Sequence, residues 1–402
     1  MKICSPVKRV RDAWTAVFAV SLATFAVVTT EMLPVGLLTS IAGSLQTTTG
    51  SAGMMISLPA LLAAIFAPFV VIASGGIDRR WILCGLVALL AVANVASALT
   101  PHLAGMLATR VLVGFCMGGI WAIAGGLASR LVSEHSVGLA TSIIFGGVAA
   151  ASVLGVPLGA FIGDALGWRW AFGCMAIFSA GVLAFLLAVI PPLPVASSAT
   201  LRQFIIQLGN RKLLLGLLLT LLLVACHFAT FTFVRPLLIS VSGLDAQWMG
   251  GMLFAYGIAG IAGNFLAGIT AARYTTRTLI AIAAGLMLTP LLFFTLGHSI
   301  PGGGATLLFW GVAYGGLSVS LMTWMMQAAP RAVEIAAALY VGIFNIGIAL
   351  GSWAGGLIVD RLTLTDTLLL TGGLAAAALA IAIVADFTPL RRSDSRTGSS
   401  HG

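Results

Sequence analysis

Charge is what this sequence has least of: only 8% of its 402 residues are Asp, Glu, Lys or Arg, while 60% are hydrophobic. Soluble chains carry about 25% charged residues. A chain this apolar has too little polar surface to stay in water, which excludes soluble enzymes, disordered proteins and nucleic-acid readers. Cysteine is scarce and scattered. Cys4, Cys84, Cys116, Cys174 and Cys226 show no metal-ligand spacing, and they read as small apolar packers, neither disulfides nor a metal site. Also missing are a phosphate-binding glycine loop ending in Lys-Ser/Thr, a His/Glu metal box and a nucleophile triad, so nothing supports ATP drive, a cofactor or enzymatic chemistry.

Long apolar runs are abundant instead. A helix needs about 20 mostly apolar residues to cross a hydrocarbon layer of about 30 Å. Runs between charged or Pro/Gly-rich breaks predict twelve spans, at roughly 14–39, 53–73, 81–99, 103–126, 137–161, 170–190, 213–238, 246–270, 278–297, 302–326, 335–358 and 366–386. The fold class is therefore an all-α integral membrane protein with twelve transmembrane helices.

The net charge of +9 is then a topology signal, because Lys and Arg in short loops stay on the cytoplasmic side. With both termini cytoplasmic, sixteen of the twenty basic residues fall inside, only Arg169 and Arg361 fall outside, and Arg110 and Arg235 lie within spans. The opposite orientation reverses that bias. Membrane lipid is thus a partner, with a weak attraction to anionic headgroups, and nucleic acid is not. The first apolar run follows MKICSPVKRVRDAW and contains Glu31 and Pro34. It is too long for a cleaved signal and reads as a retained span.

The longest break follows the sixth span and divides the chain into an N-terminal six-helix half (1–190), a cytoplasmic linker (191–212), a C-terminal six-helix half (213–390) and a polar tail (391–402) of disordered composition. Within the linker, TLRQFIIQLGNRK alternates apolar and basic residues, as either a short interfacial helix or a plain solvated linker would. The halves share a plan. Leu154, Gly155, Gly159 and Asp164 recur as Leu350, Gly351, Gly355 and Asp360 at an offset of 196; Gly114, Gly118 and Gly119 recur as Gly311, Gly315 and Gly316 at 197; Pro34 recurs as Pro236 at 202. These correspondences join span n to span n+6 and point to a duplication, the parallel repeat of carriers whose substrate site lies between halves near the midplane. Glycines spaced by four let helices approach closely in lipid, mostly for packing, and for sliding between states in the functional reading. Pro157 removes a backbone hydrogen bond and bends the fifth span.

Three charges lie well inside apolar spans, Glu31, Arg110 and Arg235, joined by the titratable His227. A charge there costs about 3 kcal/mol or more and marks a functional site by default. At the repeat offsets Arg110 meets Leu307, Glu31 meets Phe233 and Arg235 meets Leu33, so the architecture itself does not require them. Glu31 and Arg110 fall at comparable depth. Together they are either a proton-loading pair, with Glu31 taking up and releasing the proton, or a fixed ion pair joining two helices. His227, Phe231 and Arg235, spaced by four, share one stripe of the seventh span and offer a ring edge, an aromatic face and a cation to a polar substrate. The plainer alternatives are a histidine satisfied by a backbone carbonyl and an arginine reaching the outer interface. Tyr256, Asn264, Trp310, Tyr314, Tyr340, Phe344 and Asn345 complete the candidate cavity residues, each of a type that also serves as packing.

Several segments carry a resemblance, over essentially the whole chain, to the major facilitator superfamily. GIDRR at 76–80 resembles a trimmed form of its cytoplasmic Asp-Arg loop, which implies gating by Asp78, Arg79 and Arg80. RVLVG at 110–114 resembles the span-four arginine motif associated with proton coupling, and GVPLG at 155–159 resembles the bent span-five motif of antiporters, which implies a gating role for Gly155, Pro157 and Gly159. GWRW at 167–170 looks like the common start of the sixth span. TEMLPVGLL at 30–38 looks like the span-one signature of bacterial drug:proton antiporters, and GIWAIAGGLASRLV, SIIFGGVAAASVLGVPLGAFIGDALGWR and FTFVRPLL are most similar to purine ribonucleoside and sugar efflux transporters. The resemblance implies a monomeric, proton-coupled antiporter of the bacterial inner membrane whose partners are protons and a small polar solute. A purine ribonucleoside is the first expectation for that solute, with sugar or broad multidrug efflux as alternatives. A non-transporting receptor or scaffold would want a large soluble domain, and a channel a ring of repeated polar residues; the sequence shows neither.

Overall fold

The computed structural model describes residues 12–73, 77–193, 201–330 and 332–387, and their regular structure is helical throughout. The N-terminal half holds α1 (Trp14–Ser44), α2 (Thr49–Ala73), α3 (Arg79–Leu99), α4 (Leu103–Leu131), α5 (Val137–Leu166) and α6 (Trp168–Val189). A short α7 (Leu201–Gln207), within the linker, leads into α8 (Arg211–Phe231), α9 (Val234–Ser240), α10 (Met249–Leu296), α11 (Ile300–Gly315), α12 (Leu317–Ala328), α13 (Val333–Arg361) and α14 (Asp366–Phe387). Ile205 and Ile206 of α7 are exposed.

Eleven described segments are long and apolar enough to cross a membrane, and one of them, Ala246–Leu296, runs to 51 residues. That segment crosses twice. Tyr274 takes non-helical angles of φ −134° and ψ 57° inside α10, and a Cβ added to Gly316 would meet both Ala267, before the kink, and Ile282, after it. The two arms therefore lie side by side, giving the twelve crossings expected. The seventh span, predicted as one run, is instead two helices. A proline ring clashes with the carbonyl four residues back and supplies no N–H for it; for Pro236 that residue is Thr232, where α8 has just ended. The Thr232 hydroxyl bonds Ser352 Oγ at 2.7 Å across to α13. Span ten likewise breaks, at Gly316, into α11 and α12. Pro34 and Pro157 leave α1 and α5 continuous.

Loop contacts define two ends of the bundle. At the linker end, Arg79 N–H donates to the Leu193 carbonyl at 3.1 Å, Asn210 Nδ2 to the Ala328 carbonyl at 2.8 Å and Trp324 Nε1 to the Lys212 carbonyl at 2.9 Å. Here too the Ser133 N–H donates to Asp12 Oδ1 at 2.7 Å, tying the start of α1 to the end of α4 and holding the Asp12 carboxyl below the usual carboxylate range. At the far end, Trp168 Nε1 donates to Ser44 Oγ at 2.6 Å and Arg169 Nη2 to the Thr100 carbonyl at 3.2 Å.

The duplication extends to the contacts. A Cβ on Gly155 or Gly159 of α5 would meet Thr29 or Leu33 of α1, and one on Gly351 or Gly355 of α13 would meet Ala225 or Ala229 of α8. Every corresponding pair is 196 residues apart. Gly114 and Gly118 of α4 similarly approach Pro59 and Ala63 of α2, and Gly311 and Gly315 of α11 approach Tyr256 and Gly260 of α10, all 197 apart. The register between α1 and α8 is thus 196, and the 202 suggested by the two prolines is corrected. Pro34 sits beside the Leu33–Gly159 contact, whereas Pro236 lies about two turns beyond Ala229 and Gly355. With the contact register, the counterpart of Glu31 is His227, and that of Arg235 is Thr39.

Two apolar cores form, one almost wholly from the N-terminal half with Phe233 added, the other mainly from the C-terminal half with Val35, Ile56, Ala60, Val156 and Ala160 added. Toward the far end the halves also touch each other. Gly50 of α2 lies against Gly356 of α13, and a Cβ on Gly250 or Gly257 of α10 would meet Phe161 or Val153 of α5. Asn264 stands one heptad beyond Gly257, pointing the same way, yet it is exposed, and a Cβ on Gly146 of α5 would meet nothing within 4 Å. The seam between α5 and α10 is therefore closed at the far end and open toward the linker end.

Candidate transport site

Arg110 has no exposed surface. Its Nη1 donates to the Thr30 carbonyl at 3.0 Å and its Nη2 to Ser97 Oγ at 2.8 Å, with the guanidinium 5.0 Å from the Phe172 ring centre. Asn94 Nδ2 adds a bond to Thr30 Oγ1 at 3.1 Å. The arginine is thereby pinned to the backbone one residue before Glu31, while no Glu31–Arg110 ion pair forms among the described residues. Of the two readings open in the sequence, the fixed ion pair is not the arrangement seen.

Glu31 is 3% exposed, and its Oε1 has no hydrogen-bond partner among the described residues. One turn further along α1, Val35 packs into the core of the C-terminal half. Since residues four apart share a helix face, Glu31 stands on the face of α1 turned toward the other half. On the opposite side lies its counterpart, His227, also fully buried, with both ring nitrogens unpartnered. The carbonyl-satisfied histidine is not found. His227 instead stacks on Tyr314 at 3.4 Å and on Phe231 at 4.6 Å, with Trp310 edge-on at 5.2 Å. Tyr256 lies on Phe231 at 4.9 Å. Five of the predicted cavity residues, His227, Phe231, Tyr256, Trp310 and Tyr314, are thus one cluster. Tyr340 and Phe344 form a separate pair on α13, 5.6 Å apart, and Asn345 keeps its Oδ1 unpartnered while its Nδ2 bonds back to the Val341 carbonyl. Asn264 lies apart from both groups, in the opening toward the linker end.

Arg235 sits elsewhere than the sequence reading placed it. It is 2% exposed, and it neither joins the aromatic cluster nor reaches an interface. Its Nη2 pairs with Asp164 Oδ1 at 2.5 Å, its Nη1 donates to the Gly36 carbonyl at 2.6 Å and its Nε to Thr39 Oγ1 at 3.0 Å. All three partners belong to the N-terminal half, so the residue is an anchor between halves at the far end. Asp360, the repeat counterpart of Asp164, anchors the other seam. Its Oδ1 accepts the Gly50 N–H at 2.9 Å and its Oδ2 accepts the Thr48 hydroxyl at 2.7 Å and the Ser51 hydroxyl at 3.4 Å. The sequence showed these two aspartates only as repeat markers; two rare acids at equivalent span ends were the available signal for a paired role.

The gating residues implied by resemblance lie in two places. Asp78 Oδ1 caps α3 through Arg80 N–H at 2.8 Å and holds Leu193 N–H at 2.9 Å, while Arg80 Nη2 donates to the Leu187 carbonyl at 2.8 Å. With the Arg79 backbone bond to Leu193, this loop fastens α3 to the end of α6; Gly76 lies outside the described residues. Gly155 and Gly159 press on α1 within their own half, whereas Pro157 faces Gly250 across the α5–α10 seam.

Two six-helix halves, a buried carboxylate on their inner face and anchors at one end describe a carrier architecture. The sequence profile of the Major Facilitator Superfamily matches residues 20–352. The chain belongs to that superfamily. It is therefore a multi-pass membrane transporter rather than an enzyme. The chain is 32% identical over 354 residues to the transcription regulatory protein OpdE of Pseudomonas aeruginosa, covering 87% of this chain and 88% of that one. It is 30% identical over 385 residues to the purine ribonucleoside efflux pump NepI of Salmonella paratyphi A, covering 94% and 96%. To the "Probable sugar efflux transporter" of Helicobacter pylori it is 31% identical over 350 residues, covering 87% and 89%. Among solved structures, a bacterial homolog of the human lysosomal transporter Spinster, inward-facing and occupied, shares the fold with a TM-score of 0.75 at 16% identity, covering 92% of this chain and 96% of that one.

Proposed function

We propose that this superfamily member is a proton-coupled antiporter that exports a small polar organic solute, with a purine ribonucleoside as that solute. The observation that carries the coupling is Glu31, a buried carboxylate with an unpartnered oxygen, on the inner face of α1 and one residue from the backbone that Arg110 grips. In the proposed cycle the far end faces outside, as the distribution of basic residues favours. With that end open, Glu31 takes a proton as solute leaves. After the far end closes, the proton passes to the linker side as the next solute binds. Proton and solute need only prefer different states of the carrier; they need not touch. The nucleoside reading is supported by similarity to the named nucleoside pump over nearly the full length of both chains and by the flat aromatic wall around His227. Sugar export is the second reading, favoured by the Helicobacter relative.

The test is proton movement in proteoliposomes bearing a pH gradient, on adding inosine, guanosine, arabinose or a lipophilic cation. Inosine-dependent proton flux is expected for the wild-type protein, with a loss of at least roughly 100-fold in Glu31→Gln, of the order seen for a positioned proton-transfer group. Solute movement without proton flux, or unchanged coupling in Glu31→Gln, would remove Glu31 from the cycle. Flux with arabinose and none with inosine would replace the nucleoside by a sugar.

A further inference from the structure

The aromatic cluster of the C-terminal half is one continuous stack. His227 lies parallel to Tyr314 within 8°, at 3.4 Å, and leans on Phe231 at 4.6 Å and 25°; Phe231 in turn lies at 4.9 Å and 29° from Tyr256. The order is Tyr314, His227, Phe231, Tyr256, drawn from three helices. Trp310 stands edge-on along one side, 5.2 Å from His227 and 5.7 Å from Phe231, and Phe228 stands edge-on to His227 at 5.0 Å.

One member differs in chemistry from the rest. The imidazole of His227 is a polar ring held in a buried aromatic stack, and neither of its nitrogens finds a partner among the described residues. Buried polar groups are normally hydrogen-bonded, so each exception asks for an explanation. Two more polar atoms on the same stack, Tyr256 Oη and Trp310 Nε1, are equally unpartnered. The gap between Tyr314 and Phe231 is one ring thick, Trp310 with its unpartnered Nε1 flanks it, and the ring now in that gap belongs to the protein itself. Imidazole is a flat nitrogen heterocycle, chemically the smaller ring of a purine. A gap that accepts it face to face has the thickness and the stacking surfaces for a nucleobase, whereas a sugar ring is saturated, puckered and thicker than one aromatic ring.

We propose that the gap between Tyr314 and Phe231 is the recognition slot for a planar nitrogen heterocycle, the base of a nucleoside, and that the His227 side chain occupies the slot while no ligand is bound. Base entry swings the imidazole out and brings the hydrogen-bonding edge of the base toward Trp310 Nε1, on the open side of the stack. The slot discriminates by the base and leaves the ribose outside the stack. It lies in the half opposite Glu31, at the equivalent repeat position, so solute and proton are held on the two facing walls of the same central space.

This inference rests on reading that space as the solute site, and equilibrium binding in detergent separates it from the export reading because no transport is required. The assay is displacement of radiolabelled inosine from the purified full-length protein. Hypoxanthine and adenine should compete with the wild-type protein, and ribose and arabinose should not. His227→Ala, which vacates the slot, is expected to bind hypoxanthine about tenfold more tightly, and Tyr314→Leu about tenfold more weakly, the scale of one base–aromatic stack. Gel filtration and helical circular dichroism establish that each variant is folded, and the wild-type competition stands without them. Ribose competing as well as hypoxanthine, wild-type protein binding neither base, or His227→Ala binding hypoxanthine no more tightly would each overturn the slot. Base binding without solute-dependent proton flux would leave the slot standing and overturn the export cycle instead.

Discussion

Arg110 and Arg235 are both guanidiniums withdrawn from solvent, yet they are held by opposite means, and the Nε of Arg110 has no partner among the described residues. Arg235 has a carboxylate partner, Asp164, whereas Arg110 has a carbonyl, a hydroxyl and an aromatic face. The first arrangement is electrically closed and suits an anchor. The second leaves the guanidinium without a carboxylate partner among the described residues. Removing the carboxylate strands a guanidinium that is only 2% exposed, so Asp164→Ala is expected to destabilise the protein by about 3 kcal/mol. The double variant Arg235→Ala/Asp164→Ala should cost less than the sum of the single changes, measured as denaturation midpoints in one detergent. Glu31 and Arg110 were legible in the sequence because a charge within an apolar run is conspicuous. Asp164 was not legible as a partner, because it lies near a span end, where acids are ordinary, and its pairing with Arg235 exists only once the two halves meet.

At the scale of helices, the pattern of small residues decides which pairs can touch. A Cβ on Gly315 would overlap the backbone of Gly260, while one on Gly85 of α3 would meet nothing within 4 Å. Gly315→Ala is therefore expected to lower stability by about 2 kcal/mol, as overpacking does. Gly85→Ala should be neutral, or stabilising by about 0.5–1 kcal/mol through helix propensity; thermal unfolding of the two variants checks the contrast. The tie between α1 and α4 carries a pH signature. Because the Ser133 N–H depresses the pKa of Asp12, its contribution is present above the unfolded carboxylate value of about 3.9 and is lost as pH falls through the lower folded value. Hydrogen exchange at the start of α1 should accelerate only below that range, and Asp12→Ala should show the acid-form rate at every pH. Span positions could be read from hydropathy because a bilayer needs a run of fixed length. The breaks at Thr232 and Gly316 could not: Pro34, Pro157 and Pro236 look alike in sequence, and only the last follows a helix end.

For the whole molecule, the contact register of 196 to 197 shows two equivalent bodies meeting near one end. The α5–α10 seam opens toward the other. Asn264→Cys is accordingly expected to react rapidly with a membrane-impermeant maleimide supplied at the linker end, and Val153→Cys, covered by Gly257, to react at least about tenfold more slowly; mass spectrometry of modified protein in vesicles of known orientation gives both rates. The duplication was visible in glycine spacing, but the proline pairing shifted the first and seventh spans by six residues and hid the equivalence of Glu31 and His227. Only the approach of Gly155 to Thr29 and of Gly351 to Ala225 reveals it. The closure itself has a further property. Exposed ion pairs such as Arg277–Asp386, with a 73% exposed arginine and 4.0 Å between charged atoms, weaken as salt shortens the screening length, about 8 Å at physiological ionic strength. In the Arg235–Asp164 pair the guanidinium is only 2% exposed and the carboxylate 24%, so salt reaches one partner and not the other, and the far end is expected to loosen far less in a strongly saline medium than an open surface pair would.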